Sequence, residues 1–159
     1  MKAIIMFTSK YGCAEKAAYL LKSQLGEETE VVNLMHAKEP TLERYDTVIL
    51  GGSIYYGKIQ KQMTDFTTKY QNELGKKRVG LFVCAGATGE QASQELKSAF
   101  PEVLYDQSVT KEVFGDEIYE EKLTLLDRFV LRMVKGKNKN VNGLSKETIE
   151  RFALAMKRL

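Results

Sequence analysis

Two rhythms of apolar and polar positions alternate along this chain. Ala3-Ile4-Ile5-Met6-Phe7 is an unbroken apolar run, as a strand buried on both faces of a sheet requires. The polar loop Thr8-Ser9-Lys10-Tyr11-Gly12-Cys13 follows. Ala14, Ala17, Ala18 and Leu21 then share one face at helical spacing, and Gly26 ends the pattern. Thr29 to Leu34 predicts an edge-type second strand. Asp46 to Gly51 predicts a third, entering the loop Gly52-Ser53-Ile54-Tyr55-Tyr56-Gly57. Met63, Phe66, Tyr70 and Leu74 form one stripe, so a single helix is expected over 60–74, closed by Gly75. Arg78 to Cys84 reads as the fourth strand. Ala85-Gly86-Ala87-Thr88-Gly89 and a short helix over 90–100 come next, ended by Pro101. Val109 to Phe114 is the fifth strand. Two more helices are expected, over 119–135 and, with Ser145 as N-cap, over 146–159.

Strands alternating with helices predict an α/β fold, a parallel sheet covered on both faces and wound with right-handed crossovers. The 159 residues contain no repeat, linker or low-complexity tract, so one domain over 1–159 is expected. In open sheets of this kind ligands sit beyond the carboxyl ends of the strands. The loops after strands one, three and four carry the Gly, Ser, Thr and Tyr residues. The first of them suits an anion. The opening N–H groups of the helix lack internal partners, and the helix dipole adds partial positive charge there. Hydroxyls of Thr8 and Ser9 can add hydrogen bonds, and Gly12 lets the backbone approach closely. Taken alone, the same residues fit an unliganded polar turn equally well, and Lys10 fits either charge assistance or plain solvation.

Charge changes the picture locally. The net charge is +3. From Lys122 to Asn140 six basic residues face one acidic, a net +5; residues 141–159 carry +2, leaving −4 for the first 121. Leu123, Leu126, Phe129, Val130, Met133 and Val134 lie among these basic residues at helical spacing. The stretch over 119–139 therefore fits a core helix with a solvated basic face, or a peripheral contact with anionic lipid or an acidic partner. The basic residues form no nucleic-acid-binding motif, so no nucleic-acid partner is expected.

No apolar run approaches the ~20 residues of a membrane span, and the five apolar residues at the start belong to a strand rather than a signal peptide. Cys13 and Cys84 read as small apolar fillers in a reducing, cytoplasmic setting. His36 is the single histidine and has no metal-ligand spacing around it.

Three segments carry a resemblance to the flavodoxin-like family over essentially the whole chain: KAIIMFTSKYG (2–12), YDTVILGGSIYYGK (45–58) and LDRFVLRMVKG (126–136). Within it the chain is most similar to the quinone-dependent protoporphyrinogen IX dehydrogenases. The middle segment is the most specific of the three. The resemblance implies a three-layer flavodoxin-like fold with five parallel strands in the order 2-1-3-4-5 and about five helices. It implies one non-covalent FMN, its phosphate held by Thr8, Ser9, Lys10, Tyr11, Gly12, Cys13 and Ala14. The ring would lie between Ser53, Ile54, Tyr55, Tyr56, Gly57 and Lys58 on one side and Ala85, Gly86, Ala87, Thr88 and Gly89 on the other. Tyr56, by its place in the motif, is the expected stacking partner, and the small Ala85–Thr88 backbone would meet the pyrimidine edge.

Chemistry would then rest with the flavin, with no catalytic side chain and no metal. The implied reaction passes electrons from a reduced substrate through FMN to a quinone. The alternative is an electron carrier with no substrate of its own, serving a redox partner protein. Two departures stand out. The family's closing Thr of the phosphate loop is Ala14 here, and residues 85–100 are not basic. A receiver-like phosphoacceptor is disfavoured, because Phe7-Thr8-Ser9 offers no aspartate at the end of strand one.

Overall fold

The computed structural model describes residues 1–116 and 143–158. The helix expected over 119–135, with its basic residues, lies outside them. The chain runs β1 (Ala3–Thr8), α1 (Cys13–Leu25), β2 (Glu30–Asn33), a 3-10 turn (Leu42–Arg44), β3 (Thr47–Ser53), α2 (Lys61–Lys69) and α3 (Gln71–Leu74). It continues through β4 (Arg78–Cys84), α4 (Gly89–Ala99), α5 (Glu102–Gln107), β5 (Thr110–Val113), β6 (Gly115–Asp116), β7 (Gly143–Leu144) and α6 (Lys146–Lys157). Five strands pair in the order β2-β1-β3-β4-β5, and every pairing among them is parallel. This is the doubly wound α/β sheet in the order 2-1-3-4-5 that the resemblance implied. From β1 the chain crosses to β2 at the edge, then returns past β1 to β3. The order of strands therefore reverses between β1 and β3, which places the switch point there.

The continuous apolar runs are explained by two cores, one on each face. Ile4, Met6, Val48, Leu50, Leu81 and Val83 pack against Met63, Phe66, Leu96 and Leu104 of α2, α4 and α5. Ile5, Phe7, Ile49 and Phe82 point the other way, against Ala14, Ala17, Ala18 and Leu21 of α1 and Ile149, Phe152 and Met156 of α6. Successive strand residues thus serve opposite cores, as the period of two demands. The second core holds an aromatic cluster in which Phe82 stacks on Phe114 at 4.8 Å and Phe152 meets Phe114 edge-on at 5.3 Å. The Phe82 ring lies across Gly51 of β3, where a Cβ would come within 2.1 Å of it. Cys13 and Cys84 are buried thiols in this same core.

The structure departs from expectation in three places. The helix predicted over 60–74 is two helices, because Tyr70 leaves helical dihedrals (φ −104°, ψ 18°). Its hydroxyl donates to Glu39 Oε2 at 2.8 Å, beside Lys69 at 2.9 Å, a tertiary anchor that the apolar stripe does not report. Pro101 ends α4 but also opens α5, as the N-cap residue with buried Leu104 beyond it. The two-residue strands β6 and β7 pair antiparallel, too short to leave a periodic trace. Ser145 caps α6 as expected, accepting a hydrogen bond from Thr148 N at 3.2 Å. Among the described residues, no helix is long and apolar enough to cross a membrane.

Candidate functional site

Strand register brings the three polar loops to one edge of the sheet. Thr8, the last residue of β1, sits opposite Gly52, and Ser53, the last of β3, opposite Cys84. The chain therefore leaves all three strands at nearly the same height, and Ile54 N donates to Cys84 O at 2.8 Å as it does so.

The loop after β1 is built by its own donors. Ser9 Oγ accepts from Gly12 N at 2.9 Å, and Gly12 turns into α1 with φ +95°, a left-handed conformation suited to glycine. Gly12 is the N-cap and supplies no side-chain cap bond to α1, so the helix N-terminus, with its partial positive charge, stands at this loop. Cys13 and Ala14 start the helix and are buried against the second core. The Tyr11 hydroxyl is buried and has no hydrogen-bond partner among the described residues. An unpaired buried phenol is costly unless a ligand completes it. These groups fit a phosphate ester: uncapped helix N–H groups, an orphaned O–H and nearby serine hydroxyls are all donors.

The second loop is a tight two-residue turn. Tyr55 N donates to Lys58 O at 2.8 Å and Lys58 N returns a bond to Tyr55 O at 3.1 Å. Tyr56 (φ +50°) and Gly57 (φ +77°) occupy its corner. Positive φ at both corner residues is the type I′ signature, where Asn or Gly is favoured and a tyrosine is strained. Tyr56 is 64% exposed, so the strain is not repaid by burial within the chain. Its ring meets Tyr55 edge-on at 4.3 Å, and Tyr55 meets Tyr11 edge-on at 6.0 Å. The Lys10 ammonium lies 3.4 Å from the centre of the Tyr55 ring, a cation–π contact that ties the first two loops together. Burial would raise the Tyr55 phenol, yet Lys10 and the Tyr56 hydroxyl outweigh it and hold the group below its ordinary value. Tyr56 moves up, chiefly through its hydrogen bond with Tyr55.

The third loop is of another kind. Ala85 is buried and held by Gly115 O at 2.9 Å, while Thr88 is the N-cap of α4 without a side-chain cap bond. Residues 85–89 border a cleft of about 720 Å³ that continues past Ser93, Tyr105, Lys111 and Asp116. No residue of the first two loops lines it. The structure therefore interlocks Thr8–Ala14 with Ser53–Lys58 directly, and sets Ala85–Gly89 beside them with an opening of its own.

One residue escaped the sequence reading. Gln60, taken only as the start of a helix, extends its amide between the first two loops. Thr8 Oγ1 donates to Gln60 Oε1 at 2.8 Å, and Gln60 Nε2 donates to Ser53 Oγ at 2.9 Å. Lys10 N also donates to Ser53 Oγ, at 3.3 Å. A lone polar residue ahead of an amphipathic stripe carries no signal of such a role. Only the approach of β1 and β3 supplies it.

Known proteins share this architecture. The family model described as flavodoxin domain matches residues 4–143. Protoporphyrinogen IX dehydrogenase (quinone) of Escherichia coli (strain K12) is 34% identical over 77 residues, which cover 46% of this chain and 42% of that relative. Among solved structures, a short-chain flavodoxin associated with a PDU bacterial microcompartment superposes with a TM-score of 0.63 at 16% identity, covering 98% of this chain and 97% of its own. Oxidised flavodoxin 1 from Bacillus cereus gives 0.58 at 17% identity, covering 100% and 99%. At such identities the structural likeness concerns the fold.

Proposed function

The chain belongs to the flavodoxin-domain family, and from that premise we propose that it binds one FMN and acts as a flavin oxidoreductase, as a single domain. The observation that carries the reading is the meeting, at the β1–β3 switch point, of a helix N-terminus without a side-chain cap at Gly12 and a buried Tyr11 hydroxyl with no hydrogen-bond partner among the described residues. When bound, FMN supplies the hydride and electron chemistry. The protein holds, orients and shields it. In this reading Ser9 to Ala14 would receive the phosphate, the buried Thr8 hydroxyl being spent on Gln60, and the ring would lie between Ser53–Lys58 and Ala85–Gly89. Tyr56 stands exposed at the turn, where it would be available to stack on the ring. Stacking by an electron-rich phenol would disfavour added negative charge on the flavin, and the Lys10 ammonium on the Tyr55 ring would add positive charge to the same loop.

For the reaction, the proposal follows the dehydrogenase relative: electrons pass from a reduced porphyrinogen-type substrate to a quinone. The match covers 42% of that protein, so substrate and acceptor rest on the matched 77 residues. The basic sequence between Lys122 and Asn140 suits the anionic surface at which a membrane quinone would be met.

The test is a visible spectrum of the purified protein, with released cofactor identified by mass, followed by two anaerobic assays. Flavin bands, released FMN and quinone-dependent oxidation of protoporphyrinogen are expected. A protein that accepts electrons from a flavodoxin reductase, but oxidises no porphyrinogen with any quinone, is a carrier. A colourless protein that ignores added FMN ends the flavin reading altogether.

A further inference from the structure

The cleft beside residues 85–89 has walls unlike those of the phosphate loop. At about 720 Å³ it falls within the roughly 300–1,000 Å³ that small-molecule sites occupy. Residues 85–89 form one wall, and no side chain there is larger than Thr88. In the reading above, the flavin ring lies against the other side of the same backbone. Ala92, Leu96 and Val113 give the cleft apolar surface, and Tyr105 adds an aromatic ring. Lys111 Nζ donates to Tyr105 O at 2.8 Å and stands 4.5 Å from the centre of its ring, which ties α5 to β5 across the floor. Hydroxyls come from Thr88, which makes no cap bond to α4, and from Ser93.

Charge separates this cleft from the rest of the mouth. Residues 8–14 and 53–61 contain Lys10, Lys58 and Lys61 and no carboxylate. The cleft sets Lys111 against two carboxylates, Glu112 and Asp116. Glu112 accepts from Arg151 Nη2 at 3.4 Å, while Asp116 Oδ2 comes within 3.8 Å of where a Cβ of Gly86 would stand. A carboxylate-bearing molecule is drawn to the lysine side and repelled near Asp116. A neutral flat molecule with oxygen acceptors meets no such opposition in the cleft. Its oxygens can accept from Thr88 and Ser93, and its ring finds apolar walls.

We propose that this cleft is the quinone site, so that the acceptor binds behind residues 85–89 while the reduced substrate meets the flavin from the lysine side. The proposal rests on the FMN and quinone reading above, and adds where the acceptor binds and that the two reactants bind apart. The quinone gains two electrons across the loop backbone and two protons from water to become the quinol, while the reduced flavin returns two protons to water. Small side chains in the shared wall keep the two rings close.

The experiment uses the FMN-loaded protein and menadione, a soluble quinone. Calorimetry reads menadione binding to the oxidised protein, and stopped flow reads reoxidation of the anaerobically reduced flavin. Ser93→Trp puts an indole into the cleft from an exposed position on α4. Its menadione Kd, and the quinone concentration giving half-maximal reoxidation, should both rise about tenfold or more, because the side chain takes the volume that the ring needs. FMN affinity, melting temperature and reoxidation by ferricyanide, which needs no pocket, should match the wild type. Ser93→Ala should weaken menadione about threefold, as loss of one neutral hydrogen bond does. In the wild type, menadione and protoporphyrinogen should not compete. Unchanged menadione binding and reoxidation in a folded Ser93→Trp would overturn the proposal with the FMN reading intact. So would competition between the two reactants, or FMN-loaded wild type that binds no menadione. Wild-type protein that binds no FMN would overturn both.

Discussion

The two halves of the carboxyl edge are built in contrasting ways. On the β1–β3 side, hydrogen bonds close almost every gap: Ser9 to Gly12, Lys10 to Ser53, Gln60 to both strands. On the β4–β5 side, Ala85, Gly86 and Ala87 present little but backbone beside an open cleft of about 720 Å³. A rigid cluster of aimed donors suits a small, highly charged group, whose recognition depends on placement to tenths of an ångström. A wall of small residues suits a flat group, which asks for area and clearance. The two styles match the two ends of a flavin nucleotide, and they respond differently to substitution.

The largest effect is expected at Gly52→Val. A Cβ at this position already lies 2.6 Å from the Ile59 side chain and 2.8 Å from Thr8 Oγ1, and overpacking of this kind costs about 1–3 kcal/mol. FMN affinity should fall more than about 100-fold, by titration, because Thr8, Gln60 and Ser53 can no longer meet. Retained affinity would show that the tight half is not needed for binding. Gly86→Val makes the opposite case. The nearest atom to a Cβ there is Asp116 Oδ2 at 3.8 Å, so the apoprotein should melt unchanged while FMN and riboflavin weaken together, by roughly tenfold each. Selective loss of FMN in that variant would mean that the phosphate, not the ring, faces this loop.

Tyr56→Asn comes next in size. Asn takes the left-handed corner of a type I′ turn more readily than Tyr, so the apo melting temperature should hold or rise by roughly 2 °C. Flavin affinity should drop about five- to tenfold with the loss of an aromatic stack. A variant that loses stability and keeps affinity would make Tyr56 a structural residue.

The smallest effect lies at the opposite end of the sheet. Asp46 accepts from Lys2 N at 3.2 Å and from Thr47 Oγ1 at 2.8 Å. Burial alone would raise its carboxyl, yet these bonds carry it below the ordinary range. Glu39 is lowered too, by its hydrogen bonds from Lys69 and Tyr70. A carboxyl lowered by folding stabilises fully above its unfolded pKa, about 4. That contribution fades as the pH drops through the lower folded value. Exposure keeps it small, roughly 1 °C in Tm. Asp46→Asn should flatten the acid limb of Tm against pH without touching FMN affinity.

The sequence carried the fold far. The apolar run Ala3–Phe7 announced a strand buried on both faces, and Asp46–Gly51 and Arg78–Cys84 read as further strands, because a parallel sheet between two helical layers has no polar face to show. Helical spacing placed α1 and α6, and glycine-bearing loops marked the ligand edge, because chain reversals need backbone freedom at identifiable residues.

Tertiary structure decided what local pattern cannot encode. The hydroxyl of Tyr70, the residue at the bend, is bonded to Glu39, thirty-one residues earlier in the chain. The cleft beside Ala85–Gly89 and the meeting of Gln60 with Thr8 and Ser53 exist only because the sheet order runs 2-1-3-4-5 and sets these residues side by side. Hydrophobic periodicity is a one-dimensional record of burial, so it reports which residues turn inward. A hydroxyl's partners are fixed in three dimensions by which strands become neighbours, and at Ser53 that neighbourhood brings Lys10 N and Gln60 Nε2 to one oxygen.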